Sequence, residues 1–203
     1  MTPPIGLVLL AAGASRRMGQ PKGLLPYGGA TLIRHAAGVA LASGCAPVVV
    51  VLGFAADRLG RELDGLPVRV VANSDWDRGL GSSIRAGVGA VVADPAVGAV
   101  LVMLADQPRV DPAALAALVA RHRADPGALV AADYGGSGGV PAIFPRAAFP
   151  ALLGLPDDRG AQTLIRATPL PVVLVPGLDL ADVDTPGDYA RLVGADAAET
   201  DRA

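Results

Sequence analysis

The sequence predicts an α/β fold, a three-layer open sheet that is mostly parallel, from the order of its segments and the character of its strands. Apolar runs alternate with helix-patterned segments along most of the chain, the order a helix-covered sheet requires. The early runs are continuous rather than alternating, as in strands buried on both faces. Composition agrees: 52% of residues are apolar but only 3% aromatic, so the core is built from Ala, Val and Leu. Such small side chains let helices pack closely on a sheet. A length of 203 residues allows one sizeable core, and residues 1–193 are read as a single domain.

The elements follow in order. A strand at 5–10 runs into small residues, then a helix occupies 31–43 and a valine-rich strand 47–52. A helix at 55–63, a strand at 68–72 and a helix at 82–93 continue the alternation, with another strand at 99–104. Asp111-Pro112 marks the next helix, 111–123, by a capping carboxylate before a proline at the first helical position. A strand at 128–132 follows. The segment 133–171 then breaks rhythm with Gly135, Gly136, Gly138, Gly139 and Pro141, a short strand at 142–144 and two short helices. It reads as an excursion covering the mouth of the sheet. A strand at 172–175 precedes Thr185-Pro186, which opens the last helix, and from Gly194 the small, acidic sequence reads as a frayed tail.

Net charge is only −2, which predicts neither nucleic-acid nor membrane association. The single cysteine, Cys45, has no partner for an internal disulfide and suits a reducing cytoplasm. The N-terminal apolar run has no basic residue before it and breaks into Gly, Ser and Arg, as a buried strand does and a signal sequence does not. No stretch approaches the ~20 apolar residues a membrane span needs. The chain is therefore expected in the cytoplasm.

In open α/β sheets ligands bind beyond the carboxyl ends of the strands, so polar residues there are the candidates. The first strand leads into Leu10-Ala11-Ala12-Gly13-Ala14-Ser15-Arg16-Arg17-Met18-Gly19-Gln20-Pro21-Lys22. Small residues let backbone amides approach an anion, and Arg17 and Lys22 neutralise it. The stretch therefore reads as a triphosphate cradle. It is not a Walker loop, because Met18 stands where the glycine-lysine pair belongs. Nor is it a dinucleotide fingerprint, because Gly13-Ala14-Ser15 fails at its third position. Asp106 emerges from a buried strand opposite this loop, and Asp184 is its natural second ligand for Mg²⁺. Taken singly, each carboxylate equally fits a turn or helix cap. Asn73, Gly79, Ser82 and Ser83 precede or open the third helix, where they suit a base edge or ribose as well as an N-cap. Gly79-Leu80-Gly81 matches half a dinucleotide motif, but no buried strand runs directly into it. His35 and His122 have no zinc spacing, and Ser137 has no nucleophile elbow.

Together these residues resemble the MobA-like NTP transferases, and most closely the MocA-type molybdenum cofactor cytidylyltransferases. The N-terminal stretch matches the L-A-A-G-x-S-x-R-M-G-x-x-K signature without a gap. Asn73-x-x-Trp76-x-x-Gly79, with Ser83 and Gly87, is similar to the segment that reads the nucleotide base. Leu104-Ala105-Asp106-Gln107-Pro108 resembles the metal-aspartate motif, and Asp182-Val183-Asp184-Thr185-Pro186-Gly187-Asp188 the motif carrying the second carboxylate. The resemblance implies a Rossmann-like nucleotidyltransferase fold. It also implies transfer of an NMP unit from an NTP, CTP favoured, to a phosphate-bearing acceptor such as molybdopterin, with a molybdoenzyme-maturation partner. Leu10 to Ser15, Asn73, Gly79 and Ser83 would bind the nucleotide, Arg17 and Lys22 would act on the triphosphate, and Asp106 and Asp184 would hold Mg²⁺.

Two departures fall in the acceptor-facing excursion. Gly139-Val140-Pro141 stands where the branch often has Gly-His-Pro, and Asp157-Asp158-Arg159-Gly160-Ala161-Gln162 where it tends to have Gly-Asp-x-Gly-Ala-Arg. Pro141, Asp158 and Arg159 are the acceptor-side candidates. A sugar-1-phosphate nucleotidyltransferase would share the NTP half. A non-catalytic molybdopterin carrier and a flavin or nicotinamide oxidoreductase are alternatives of other classes.

Overall fold

The computed structural model describes the backbone of residues 2–200 and the side chains of residues 2–195. Its centre is a seven-stranded sheet made of β1 (Ile5–Ala11), β4 (Val48–Leu52), β5 (Arg69–Ala72), β6 (Ala99–Leu104), β7 (Leu129–Asp133), β8 (Gly138–Pro145) and β9 (Val172–Val175). Across the sheet these lie in the order β5-β4-β1-β6-β8-β7-β9. A small antiparallel ribbon, β2 (Pro26–Tyr27) with β3 (Ala30–Thr31), stands apart from it. All pairings in the large sheet are parallel except those of β8 with β6 and β7.

The central strands are buried on both sides, as their unbroken apolar sequences require. Side chains alternate between faces along each strand. Leu7, Leu9, Val50, Leu52, Leu101 and Met103 pack with α1 (Leu32–Ala42), α2 (Ala56–Glu62) and α4 (Pro112–Ala124). Val8, Leu10, Val49, Val51, Val100 and Val102 face α3 (Leu80–Val92), α5 (Phe149–Leu153) and α6 (Ala161–Ala167). Three layers result, with a mostly parallel sheet in the middle.

Both helix starts legible in the sequence are capped as their residues dictate. The Asp111 carboxylate accepts a hydrogen bond from the Ala114 amide at 2.7 Å, with Pro112 in the first turn of α4. At the start of α7 (Pro186–Thr200), Asp188 Oδ2 accepts from the Thr185 amide at 2.7 Å while Thr185 Oγ1 accepts from the Asp188 amide at 3.2 Å. This is a reciprocal capping box. The helix continues past Gly194 to Thr200, where composition suggests a frayed tail; residues 201–203 lie outside the described residues.

The segment 133–171 is the principal correction. Its first part does not cover the sheet but enters it, because β8 lies between β6 and β7. Gly135 and Gly136, with φ of 71° and 94°, form a tight turn closed by the Tyr134 amide donating to the Ser137 carbonyl at 2.8 Å. Two successive left-handed residues give the turn whose twist matches a hairpin. β8 reaches from 138 to 145 rather than 142 to 144. Its register against β7 jumps between Ala131 and Ala132, so Val140 and Pro141 fall at an irregularity where a residue without an N–H is tolerated. Only the second part, α5 and α6, lies over a face of the sheet.

Candidate active site

The loop after β1 is fixed at several points. Ser15 adopts a left-handed backbone, with φ of 52°. Its carbonyl accepts from the Met18 amide at 2.9 Å, and its hydroxyl accepts from the Lys22 amide at 3.1 Å. Met18 is buried in a small cluster with Leu25, Leu32, Val183 and Leu192. That anchor ties the loop to the segment preceding α7 and so to Asp184.

Asp106 leaves the end of β6, where the Ala105 amide still bonds to the Leu10 carbonyl at 3.1 Å. The Val183 amide donates to the Asp106 carbonyl at 2.8 Å and brings in the late segment carrying the second carboxylate. Lys22 Nζ lies between the two acids, 2.5 Å from Asp106 Oδ2 and 3.1 Å from Asp184 Oδ1. Arg17 Nη2 is 2.7 Å from Asp184 Oδ2. Burial pulls the Lys22 ammonium down, but Asp106 and then Asp184 outweigh it and hold the group above its ordinary value. Lys22 is therefore a fixed cation at the strand ends.

These groups stand at a cavity of about 370 Å³. Of the expected nucleotide-binding residues, Leu10, Ala11, Ala12, Gly13, Ser15, Gly79 and Ser83 line it, as do Arg17, Lys22, Asp106 and Asp184. Ala14 and Asn73 do not. Asn73 is buried and acts one step back: its amide donates to the hydroxyls of Ser82 at 2.9 Å and Ser83 at 3.0 Å, and its Oδ1 accepts from the Asp75 amide at 3.0 Å. It braces the start of α3 rather than facing the cavity.

The residues suit a divalent cation. Asp106 Oδ1 is buried and has no hydrogen-bond partner among the described residues, while Lys22 supplies positive charge to Oδ2. No group of three or more His, Cys, Asp or Glu side chains converges on a metal position among the described residues. Two carboxylates would leave the other positions to phosphate oxygens and water, the usual arrangement for Mg²⁺ on nucleotides.

Residues 7–172 match the MobA-like NTP transferase domain. The chain belongs to that family. This MobA-like chain is 37% identical over 198 residues to a protein of Paenarthrobacter nicotinovorans named nicotine blue oxidoreductase, covering 92% of this chain and 95% of the relative. It is 32% identical over 195 residues to purine catabolism protein PucB of Bacillus subtilis (strain 168), covering 90% and 92%. The crystal structure of Rv0371c from Mycobacterium tuberculosis H37Rv superposes with a TM-score of 0.82 at 35% identity, over 95% of this chain and 98% of that one. A manganese complex of Rv0371c gives 0.78 at 32% identity, over 94% and 98%. The fold is thus the nucleotidyltransferase one that the signature implies.

The acceptor-side candidates do not converge. Pro141 is buried in β8, whereas Asp158 and Arg159 are exposed beside the start of α3. The 156–159 segment lies directly on Gly79 and Gly81: a Cβ at Gly81 would stand 1.9 Å from the Pro156 carbonyl oxygen. The glycine pair therefore serves close backbone contact, not a dinucleotide. Asp157 clasps the contact, pairing with Arg85 and with Arg78 at 2.7 Å.

Some residues escaped the sequence reading. Arg16, which resembles a solvated surface charge, lines the cavity, and so do Leu59 and Leu80. Trp76, already named in the segment resembling the base-reading motif, lines it too and packs edge-on against Phe54, with ring centroids 5.7 Å apart. On the other side of Asp106, the Gln107 amide donates to the Tyr134 hydroxyl at 2.7 Å, which donates to the Val140 carbonyl at 2.6 Å. Burial pushes the Tyr134 phenol up; the Gln107 hydrogen bond opposes this, and the charges of Asp182 and Asp106 reinforce it. Burial also raises the Asp182 carboxyl, with Asp106 and Asp184 adding to the shift and Gln107 and Lys22 opposing it. Gln107 follows the metal-motif aspartate directly, and that adjacency was its one visible signal. His35 is structural, its Nε2 3.0 Å from the Pro108 carbonyl.

Proposed function

We propose that the chain transfers the NMP unit of an NTP, CTP favoured, to a phosphate-bearing acceptor, molybdopterin, and releases pyrophosphate. The observation that carries this reading is the Lys22–Asp106–Asp184 constellation at the mouth of a cavity lined by Ala11, Ala12 and Gly13. A phosphate oxygen of the acceptor attacks the α-phosphorus, a new P–O bond forms, and the bond to the β-phosphate breaks in line. A phosphate nucleophile is already ionised near neutral pH, so no general base is needed. Arg17 and Lys22 hold the triphosphate and neutralise the charge passed to the leaving pyrophosphate. Asp106 and Asp184 would hold Mg²⁺, whose contribution is to neutralise the reacting phosphates. Gly79 and Ser83, braced by Asn73, orient the nucleoside.

The choice of CTP and molybdopterin rests on the resemblance to the MocA-type branch, and a cytoplasmic site and a molybdoenzyme partner belong to the same proposal. The name of the Paenarthrobacter relative supports a second reading, reduction of an organic substrate with a nicotinamide dinucleotide. Against it stand the Gly13-Ala14-Ser15 sequence and the packing of Gly81 on Pro156. A pyrophosphate-release screen tests the proposal, pairing each of four NTPs with molybdopterin and with sugar phosphates, in Mg²⁺ and in Mn²⁺. Release is expected with CTP and molybdopterin. Release with a sugar phosphate alone moves the acceptor class. No release from any pair, together with NAD(P)H consumption, replaces transfer with reduction.

A further inference from the structure

We infer that Tyr134, seated on Gly139 and held by Gln107, selects the acceptor by receiving a neutral ring that carries N–H or O–H donors. The inference rests on the nucleotidyl-transfer reading above and adds the part of the acceptor distant from its phosphate.

The topology places Tyr134 on the opposite flank of Asp106 from the nucleotide cavity. Loop 11–22 follows β1, Asp106 follows β6, and Tyr134 closes the β7–β8 turn beyond them at the same edge of the sheet. Asp106 stands between the two flanks. An acceptor phosphate meeting the NTP at Asp106 would therefore extend its remaining atoms toward Tyr134.

The ring of Tyr134 is fixed yet accessible. It packs so closely on Gly139 that a Cβ there would stand 2.4 Å from its Cε2, while the residue keeps 39% of its surface exposed. At the position where the branch often has histidine, the Val140 side chain packs against the apolar cluster on the α3, α5 and α6 face of the sheet, and its carbonyl holds the Tyr134 hydroxyl. The polar group presented beside this strand is therefore that of Tyr134, in the preceding turn, and not that of residue 140.

Hydrogen-bond accounting defines the ligand. The Tyr134 hydroxyl gives its one proton to Val140 and accepts from Gln107, which leaves a lone pair open. Gln107 is only 3% exposed, and its Oε1 has no hydrogen-bond partner among the described residues. Gln107 therefore acts on the acceptor through the exposed Tyr134 hydroxyl, which its amide holds in place. The flank is thus rich in acceptors and hostile to anions. A phosphate belongs on the Lys22 side, and the body of the acceptor must be neutral and donor-bearing. Both an N–H-bearing heterocycle and a sugar meet that description.

The test measures steady-state pyrophosphate release by the full chain with CTP and Mg²⁺, using molybdopterin as the heterocyclic probe and glucose 1-phosphate as the sugar probe. Tyr134→Ala, Tyr134→Phe and Gly139→Ala are compared with the unaltered chain, and thermal unfolding of each confirms that it folds. Tyr134→Ala is expected to raise the acceptor KM by about 10-fold or more, with the CTP KM changed less than about two-fold. Tyr134→Phe, which keeps the ring, should raise it less. Gly139→Ala, which displaces the ring without removing it, should imitate Tyr134→Ala. The probe whose KM moves identifies the ring as heterocycle or sugar. A folded Tyr134→Ala protein with an unchanged acceptor KM overturns the inference, as does one that loses kcat alone for both probes. An unaltered chain that releases no pyrophosphate from any pair overturns the transfer reading itself.

Discussion

The two flanks of Asp106 are built by different means. On the nucleotide flank, the ends of parallel strands β1 and β6 present a loop of small residues, a lysine and an aspartate, each close in sequence to its strand. On the proposed acceptor flank, an antiparallel strand is inserted into the sheet, and a glycine contact places a tyrosine against a glutamine 27 positions away. The first arrangement follows from where strands end. The second exists only once β8 has paired with both neighbours. Under the proposed function, such a site holds its phosphate chemistry constant on one flank while the other changes partner.

The largest expected effect breaks the nucleotide flank. Lys22→Ala or Asp106→Ala should lower pyrophosphate release by about 10²–10³-fold, because each removes a pre-positioned charge from the reacting phosphates. Circular dichroism should show the fold retained. A folded Asp106→Ala protein of undiminished activity would remove Asp106 from the machinery and dissolve the distinction between the flanks.

A smaller effect is structural and sits where α3 meets the 156–159 segment. Gly81→Ala places a Cβ 1.9 Å from a backbone oxygen, and a backbone atom cannot rotate aside as a side-chain tip does. The substitution should cost about 1–3 kcal/mol in chemical denaturation, the usual range for overpacking. Unchanged stability would mean that the 156–159 segment is not seated on α3.

Much of this was legible in the sequence, and the rest fails for identifiable reasons. β1, β4, β6 and β9 lie within one residue of their expected ends because continuous apolar runs leave no other reading. Asp111 and Thr185 cap their helices as expected because the capping hydrogen bond is local. β8 extends beyond its expected 142–144 into Gly138, Gly139 and Pro141, loop residues by propensity whose place in a strand only the register jump and the Tyr134 contact explain. α7 outran its expected end because Ala and Glu after Gly194 favour helix, whatever their polarity. In the site, Lys22, Asp106 and Asp184 were visible as motif residues. Tyr134, Gln107 and Asp182 form one cluster only through long-range pairing, which no local pattern records.

The smallest expected effect decides which flank the 156–159 segment serves. The resemblance places Asp158 and Arg159 on the acceptor side, but the segment rests on Gly79 and Gly81, and Asp157 ties it to Arg78 and Arg85 on the nucleotide side. Asp157→Asn weakens that clasp and should raise the CTP KM by about two- to three-fold while leaving the acceptor KM unchanged. Asp158→Ala and Arg159→Ala should move neither. Acid should imitate Asp157→Asn only at low pH. The Arg85 hydrogen bond and the Arg78 and Arg85 charges outweigh burial and hold the Asp157 carboxyl below the ordinary carboxylate range, so its contribution is present above that range and is lost as pH falls through the lowered value. Hydrogen exchange at the Gly81 amide, which donates to the Asp157 carbonyl at 2.9 Å, should therefore stay slow at mildly acid pH in the unaltered chain and quicken in Asp157→Asn. A rise in acceptor KM instead would return this segment to the acceptor flank and leave Tyr134 as one of two contacts there.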